Sequence, residues 1–244
     1  MNLALKSVPA PHDAAGTAIA ARTASSSLTP LQLEDRNTIY RSEQERSEVD
    51  AFRALRTRLL ATAGVAGNFV TLVAPVSRGS GGSFVARNLA AAMAFDESRH
   101  ALLVDCDVRN PSQDKSMQIK SAGGGLIDYL EHRETDIGNV LHATGVARLE
   151  LLPAGASRET CAEHFSSNRM RLLVDTLRSR APGSHIFLDG PPVRGAPDAR
   201  ILADLADVVL LVAGYGHDTP DAIAEAAANF DERKFAGVVF NQGV

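Results

Sequence analysis

Residues 77–83 read Ser-Arg-Gly-Ser-Gly-Gly-Ser, the stretch of this chain best suited to holding an anion. They follow an apolar, β-branched run, Phe69 to Ala74, that predicts a buried strand. They precede Phe84 to Met93, whose spacing and alanine content predict a helix. A strand, a Gly-rich turn and a helix aim successive backbone N–H groups into one cup, where a phosphate can sit at the positive end of the helix dipole. Such loops usually end in Gly-Lys-Ser/Thr. Here the triplet is Gly81-Gly82-Ser83, so the lysine that reaches the terminal phosphates is missing.

Two further groups can meet that loop. Ala101 to Asp107 predicts a second buried strand, ending in Asp105 and Asp107, which alternation places on one side. His185 to Asp189 predicts another, also ending in a carboxylate, before the break at Gly190-Pro191-Pro192. Ligands of open α/β sheets bind at the carboxyl ends of strands, where the loop and the three carboxylates converge. Backbone amides and the Ser83 hydroxyl suit phosphates, and the carboxylates suit Mg²⁺, held directly or through water.

These residues need a sheet to position them. From Ser47-Glu48-Val49-Asp50 a helix is predicted, with Phe52, Leu55, Leu59 and Leu60 at helical spacing. Asp50, Arg53 and Arg56 share its polar face, which reads either as solvated surface or as a charged contact for another subunit. Short helices are expected at Leu126–His132, after the Gly123–Gly125 loop, and at Ile137–His142. A strand follows at Leu149–Leu152, then a helix at Ser167–Arg180. Beyond Asp189 come a helix at Ala199–Leu205, a strand at Asp207–Ala213, a helix at Pro220–Phe230 and a last strand at Gly237–Asn241. This alternation predicts an α/β fold with a mainly parallel central sheet flanked by helices.

Composition sets bounds. The 244 residues, 45% hydrophobic, suffice for one core plus a tail. Residues 1–45, rich in Ala, Ser, Thr and Pro, are expected as a flexible tail with a weak helical patch near Leu31 to Tyr40, and 46–244 as a single domain. A net charge of −4 gives no basic field for nucleic acid. Apolar runs of about ten residues are too short to span a bilayer. The N-terminal stretch, with its early proline, lacks the apolar segment of a secretory leader, so a cytoplasmic location is expected. Cys106 and Cys161 offer neither metal spacing nor a disulfide framework, and Cys106 reads as a small buried strand residue.

Several segments together carry a resemblance. Asp50-Ala51-Phe52-Arg53-Ala54-Leu55-Arg56, Leu102 to Pro111 (LLVDCDVRNP), Gly125-Leu126-Ile127-Asp128, Leu152-Pro153-Ala154-Gly155, Ser166 to Met170 and Leu188 to Pro192 (LDGPP), with Asp198-Ala199 beyond, resemble the cytoplasmic domain of the bacterial tyrosine kinases (BY-kinases) of capsule and exopolysaccharide synthesis. Those belong to the deviant-Walker group that includes MinD and ParA proteins. The resemblance implies a three-layer P-loop NTPase fold binding ATP or ADP with Mg²⁺. It places the nucleotide on Arg78, Gly79, Ser80, Gly81, Gly82, Ser83 and Phe84, and the metal on Ser83, Asp107 and Asp189. In an active enzyme Asp105 would be the base, with Asp107 and Asp189 serving the metal. Asp50, Arg53 and Arg56 would join copies of the chain into a homo-oligomer.

The departures from the family shape the functional expectation. Gly82 stands where the family has lysine, and the sequence closes FAGVVFNQGV without the family's tyrosine cluster, its tyrosines being Tyr40, Tyr129 and Tyr215. Arg78, in the same loop, and Arg109, near the second carboxylate motif, are the candidates to take over part of the lysine's role, and Arg78 reads equally as a solvated loop residue. The expectation is a degenerate member that binds and assembles rather than phosphorylates. It would sit at the inner face of the plasma membrane, through a separate membrane polysaccharide co-polymerase, and engage no nucleic acid. One alternative is an active tyrosine autokinase, with Arg78 in the lysine's role and Tyr40 as acceptor. Another is a MinD- or ParA-like positioning ATPase, a group with a further lysine where Ser77 stands. Asn241 reads either as a base contact or as an ordinary strand end.

Overall fold

In a computed structural model of the chain, residues 28–36, 38–40, 47–63, 67–120, 124–159, 162–195 and 197–242 are described. The expectations for residues 1–27, for Gly123 and for Cys161 lie outside them. Seven strands form one sheet: β1 (Val70–Pro75), β2 (His100–Asp105), β3 (His142–Ala143), β4 (Leu149–Leu152), β5 (Ser184–Asp189), β6 (Val208–Gly214) and β7 (Phe235–Asn241). Their order is β3-β4-β2-β5-β1-β6-β7. All pairings are parallel except the short β3–β4 edge.

Alternation along the strands splits the core into two sides. Val70, Leu72, Leu102, Val104, Ile186, Leu188, Val209 and Leu211 face one cluster, shared with Met170, Leu173 and Leu177 of helix Asn168–Arg178 and Ala199 and Leu202 of helix Asp198–Leu205. Val73, Leu103, Leu151, Phe187, Leu210 and Val212 face the other, filled by Val49, Phe52 and Leu59 of helix Ser47–Ala63 and the alanine-rich helix Gly82–Ala94. Helix, sheet and helix make the three layers that cover a parallel sheet on both faces. Alanines 90–92 and Ala94 let the Gly82–Ala94 helix lie close to the strands, and all are buried.

Part of the stretch expected as a tail is packed on the domain. Helix Pro30–Glu34 starts at a capping box between Thr29 and Gln32. The Leu28 N–H donates to Gly145 O at 3.0 Å, and the Ile39 N–H donates to the buried Asn88 Oδ1 at 2.7 Å. Thr38 and Ile39 are buried. Cys106 is buried, as expected.

Several element ends differ from the sequence reading by a few residues, and two of the differences have a clear cause. The helix expected to reach His142 stops at Val140, and His142–Ala143 pairs antiparallel with β4. Strand β2 ends at Asp105 rather than Asp107, because the Asp105 carboxylate gathers the turning backbone. Its Oδ1 accepts from Asp107 N at 3.2 Å, and its Oδ2 from Ser112 N and Gln113 N, each at 3.0 Å.

Candidate functional site

Strand β1 lies between β5 and β6, so the Gly-rich loop leaves the middle of the sheet. Gly79 and Gly81 hold φ of +90° and +87°, the left-handed region that a Cβ disfavours. The first N–H groups of helix Gly82–Ala94, those of Gly82, Ser83 and Phe84, have no preceding turn to bond, and the first intrahelical bond is Val85 N to Gly81 O at 3.0 Å. These are the amides expected to form an anion cup.

The loop is braced from behind. Ser80 Oγ donates to Asp218 Oδ2 at 2.6 Å, which also accepts Gly214 N at 2.8 Å. Burial opposes ionisation of Asp218, but the bonds from Ser80 and Gly214 outweigh it and hold the carboxyl below its usual range. His217 Nε2 lies 3.0 Å from Arg78 O, and Asn241 Nδ2 donates to Ser80 O at 3.2 Å. Asn241 thus lies on the loop beside Gly81.

Pro75 closes strand β1 directly against Gly82. A Cβ on Gly82 would lie 2.7 Å from Pro75 Cδ, 2.9 Å from its Cγ and 3.0 Å from its Cβ. The room that a side chain at position 82 needs is filled by a rigid ring.

The three carboxylates do meet. Asp105 and Asp189 are opposite one another in the β2–β5 register, and both are fully buried. Burial, then the Asp189 charge, raises Asp105 well above the usual carboxylate range. Burial likewise pushes Asp189 up to about 6, with Gln113 and Ser83 pulling the other way. Asp107 is raised by burial, opposed by its turn bonds to Asn110 and by the Arg78 charge. Asp189 Oδ1 is buried with no hydrogen-bond partner. An unpaired, buried carboxylate oxygen is costly, and a cation would satisfy it.

Sequence reasoning missed Gln113, which ties these parts together. Its Nε2 donates to Asp189 Oδ2 at 2.6 Å and to Ser83 O at 2.9 Å, and its Oε1 accepts from the buried Arg87 at 3.1 Å. Gln113→Ala should cost about 2–4 kcal/mol in urea unfolding, since it strips a buried carboxylate and a buried guanidinium of a partner at once.

The other expected residues are spread out. Arg78 is exposed, with its charge acting on Asp107. Arg109 pairs with Asp198 at 3.4 Å. Arg53 pairs with Asp50 at 3.1 Å on the outer helix, whereas Arg56 donates to Ala92 O at 2.9 Å and so caps the end of the Gly82–Ala94 helix. Beside the loop, between that outer helix and β7, runs a groove of about 670 Å³ bordered by Phe52, Leu55, Phe84, Asn241 and Gln242. Phe84 meets Phe52 edge-on, with ring centroids 5.9 Å apart.

The fold and the loop define a P-loop NTPase-type domain. No family model matches the chain. By sequence it is 35% identical over 198 residues to the EpsB protein of Ralstonia solanacearum, covering 79% of this chain and 25% of that one. It is 24% identical over 217 residues to the tyrosine-protein kinase CpsD of Streptococcus agalactiae serotype III, covering 88% of this chain and 89% of that one. The chain therefore spans about a quarter of EpsB and most of CpsD. Among solved structures, the BceF tyrosine kinase domain superposes with a TM-score of 0.72 at 25% identity, over 95% of this chain and 90% of that one. The MinD protein of Pyrococcus horikoshii, solved with Mg-ADP, shares the fold at a TM-score of 0.54 and 17% identity, over 71% and 69% of the chains. The chain is a homologue of the bacterial tyrosine-kinase domains, with a P-loop that lacks its lysine.

The unpartnered Asp189 oxygen and the Ser83 hydroxyl are donors of the kind that Mg²⁺ takes, and amides at a helix start are of the kind that a phosphate takes. The surroundings of position 82 do not fit a lysine.

Proposed function

We propose that this domain is a BY-kinase-like assembly subunit of capsule or exopolysaccharide synthesis. It would work at the inner face of the plasma membrane with a separate membrane polysaccharide co-polymerase, and with little or no tyrosine phosphorylation. The observation that carries the reading is Gly82 seated against Pro75 in an otherwise complete loop. Phosphoryl transfer builds charge on the transferred group, and a fixed cation aimed there supplies much of the stabilisation. This loop offers none at that position. ADP or ATP with Mg²⁺ would be held by the backbone of residues 79–84, with the metal served by Ser83, Asp107 and Asp189. Asp50, exposed, and Arg53, half-buried and paired with it, are the groups offered to a neighbouring copy, while Arg56 is already bound within its own chain. Among the described residues no helix is long and apolar enough to cross a membrane.

The second reading is an active tyrosine autokinase, favoured by the intact carboxylate set and by the raised Asp189. In it Asp105 would be the base, Arg78 would replace the lysine and Tyr40 would accept the phosphoryl group. One experiment separates the two. The purified protein is incubated with Mg-ATP and probed for phosphotyrosine, beside Tyr40→Phe. The assembly reading expects no signal, together with membrane recruitment when the co-polymerase is co-expressed. Phosphotyrosine that disappears in Tyr40→Phe would replace it with the kinase reading.

A further inference from the structure

We infer that a clamp outside the Gly-rich loop, made by His217, Asp218 and Asn241, turns the Gly79 and Gly81 amides into the anion cup, with Asp218 as its main positioning residue. This rests on the loop being an anion site, as in the proposed function, and concerns what holds that site in shape.

Gly79, Gly81 and Gly82 have no side chain to fix the loop from within, and the Ser80 side chain turns outwards to Asp218. The restraints come from two distant parts of the chain, the turn after β6 and the end of β7. Arg78 O lies 3.0 Å from His217 Nε2, and because a carbonyl only accepts, Nε2 carries the proton. Ser80 O accepts from Asn241 Nδ2 at 3.2 Å. The clamp is tied together in turn. Tyr215 N donates to Asn241 O at 2.7 Å, and His217 N and Asp218 N both donate to Gly214 O at 3.0 Å.

A trans peptide points its C=O and its N–H in opposite directions, and both peptides concerned are trans. Drawing Arg78 O and Ser80 O outwards therefore sends the Gly79 and Gly81 N–H groups, the other halves of the same peptides, to the side away from the clamp. Neither N–H has a partner among the described residues. The clamp thus adds two donors to those of the helix start.

Asp218 joins the loop to the end of β6, since its Oδ2 accepts both Ser80 Oγ at 2.6 Å and Gly214 N at 2.8 Å. Ser80 has one hydroxyl proton and a second acceptor nearby, Ser77 O at 2.7 Å, and a carboxylate is the stronger of the two. The Asp218 charge by itself opposes an anion in the loop. Its bonds and its charge therefore act on binding in opposite directions and can be separated.

The test titrates inorganic pyrophosphate and Mg-ADP by calorimetry into the wild type, His217→Ala, Asp218→Ala and Asp218→Asn. Tm and the Gly79 and Gly81 amide resonances are followed alongside. In the wild type both resonances should shift as ligand binds. His217 is exposed, so His217→Ala should keep its Tm while binding about fivefold more weakly, the worth of one hydrogen bond. Both Asp218 variants lose the charge, but asparagine keeps an oxygen for Ser80 and Gly214. Asp218→Asn should bind at least as tightly as the wild type, and Asp218→Ala about tenfold more weakly than Asp218→Asn. Equal binding by the two Asp218 variants would overturn the clamp, as would binding that leaves the Gly79 and Gly81 resonances unmoved. If Asp218→Ala does not fold, His217→Ala decides, and unchanged binding there counts against the clamp. A wild type that binds neither ligand overturns it too, and leaves the assembly reading to phosphotyrosine and membrane recruitment.

Discussion

Asp189→Asn should make the ligand-free protein more stable at pH 7.5 by about 2 kcal/mol, while weakening any Mg²⁺-dependent nucleotide binding. Burial raises the Asp189 carboxyl to about 6, above its usual 3.8. A group whose folded-state pKa is raised contributes stability that is full below the unfolded pKa and is lost as pH rises through the folded one. At pH 7.5 the folded chain therefore carries an ionised carboxylate at a cost, about 1.4 kcal/mol for every tenfold difference in proton affinity between the folded and unfolded states. Asparagine keeps an oxygen to accept from Gln113 and removes the charge. It also relieves Asp105, which the Asp189 charge helps to raise. Acidification exposes an opposing group. His185 in β5 is held down to about 4, by burial first and the Arg99 charge second, with Arg99 donating to its Nε2 at 2.7 Å. A depressed histidine loses stability as pH falls from 6.5 towards 4, because the unfolded chain takes up the proton first. Between pH 6.5 and 4 the wild type thus gains from Asp189 and loses to His185. The variant keeps the loss and lacks the Asp189 gain, so its advantage should shrink with acid. Urea unfolding at pH 7.5 and pH 5 measures both arms, and a variant no more stable than wild type at pH 7.5 would sink the account.

Much of this site is legible in the sequence because it lies at strand ends. Asp105 and Asp189 close apolar runs that nothing but a buried strand explains, and the Gly-rich turn sits between a strand and a helix. Strand β4 is found at both expected ends, since Leu149–Leu152 is short, apolar and followed at once by Pro153. What is not legible depends on residues far apart in the chain. Gln113 stands in a polar stretch without periodicity, and it matters only because Asp189, 76 residues on, comes to face it. Pro75 reads as a strand terminator, with its meaning set by the helix start that folds against it. Arg56 is the clearest case of ambiguity: spacing puts it on a polar face with Asp50 and Arg53, but its long stem reaches the carbonyl of Ala92. Residues 28–40 read as a tail because their few apolar groups, Leu33 and Ile39 among them, are buried only by the domain they dock on.

The segments Gly125-Leu126-Ile127-Asp128 and Leu152-Pro153-Ala154-Gly155 carried part of the family resemblance, and their packing yields the second large expectation. Gly125→Ala should destabilise the protein by about 3 kcal/mol or more, lowering Tm by about 10 °C. Conformation is not the obstacle, since Gly125 has an extended backbone with φ of −159°. Space is. An added Cβ would lie 2.8 Å from the Ala154 carbonyl carbon and closer still to Pro153 O and Gly155 N, all backbone atoms. Those atoms cannot retreat cheaply. Leu126 N donates to Pro153 O at 2.8 Å and Ile127 N to Ala154 O at 3.0 Å, so separating the two loops breaks both bonds beneath the fully buried Leu126 and Ile127. Asp128 Oδ2 accepts Gly125 N at 2.9 Å and fixes the approach from the other side. Gly195→Ala is the matching control. Nothing lies within 4 Å of its added Cβ, but its φ of +97° is unfavourable for alanine, so it should cost about 1 kcal/mol from conformation alone. Thermal unfolding of the two variants side by side separates crowding from backbone strain. A Gly125→Ala protein no less stable than Gly195→Ala would show that the loops part more easily than their hydrogen bonds imply.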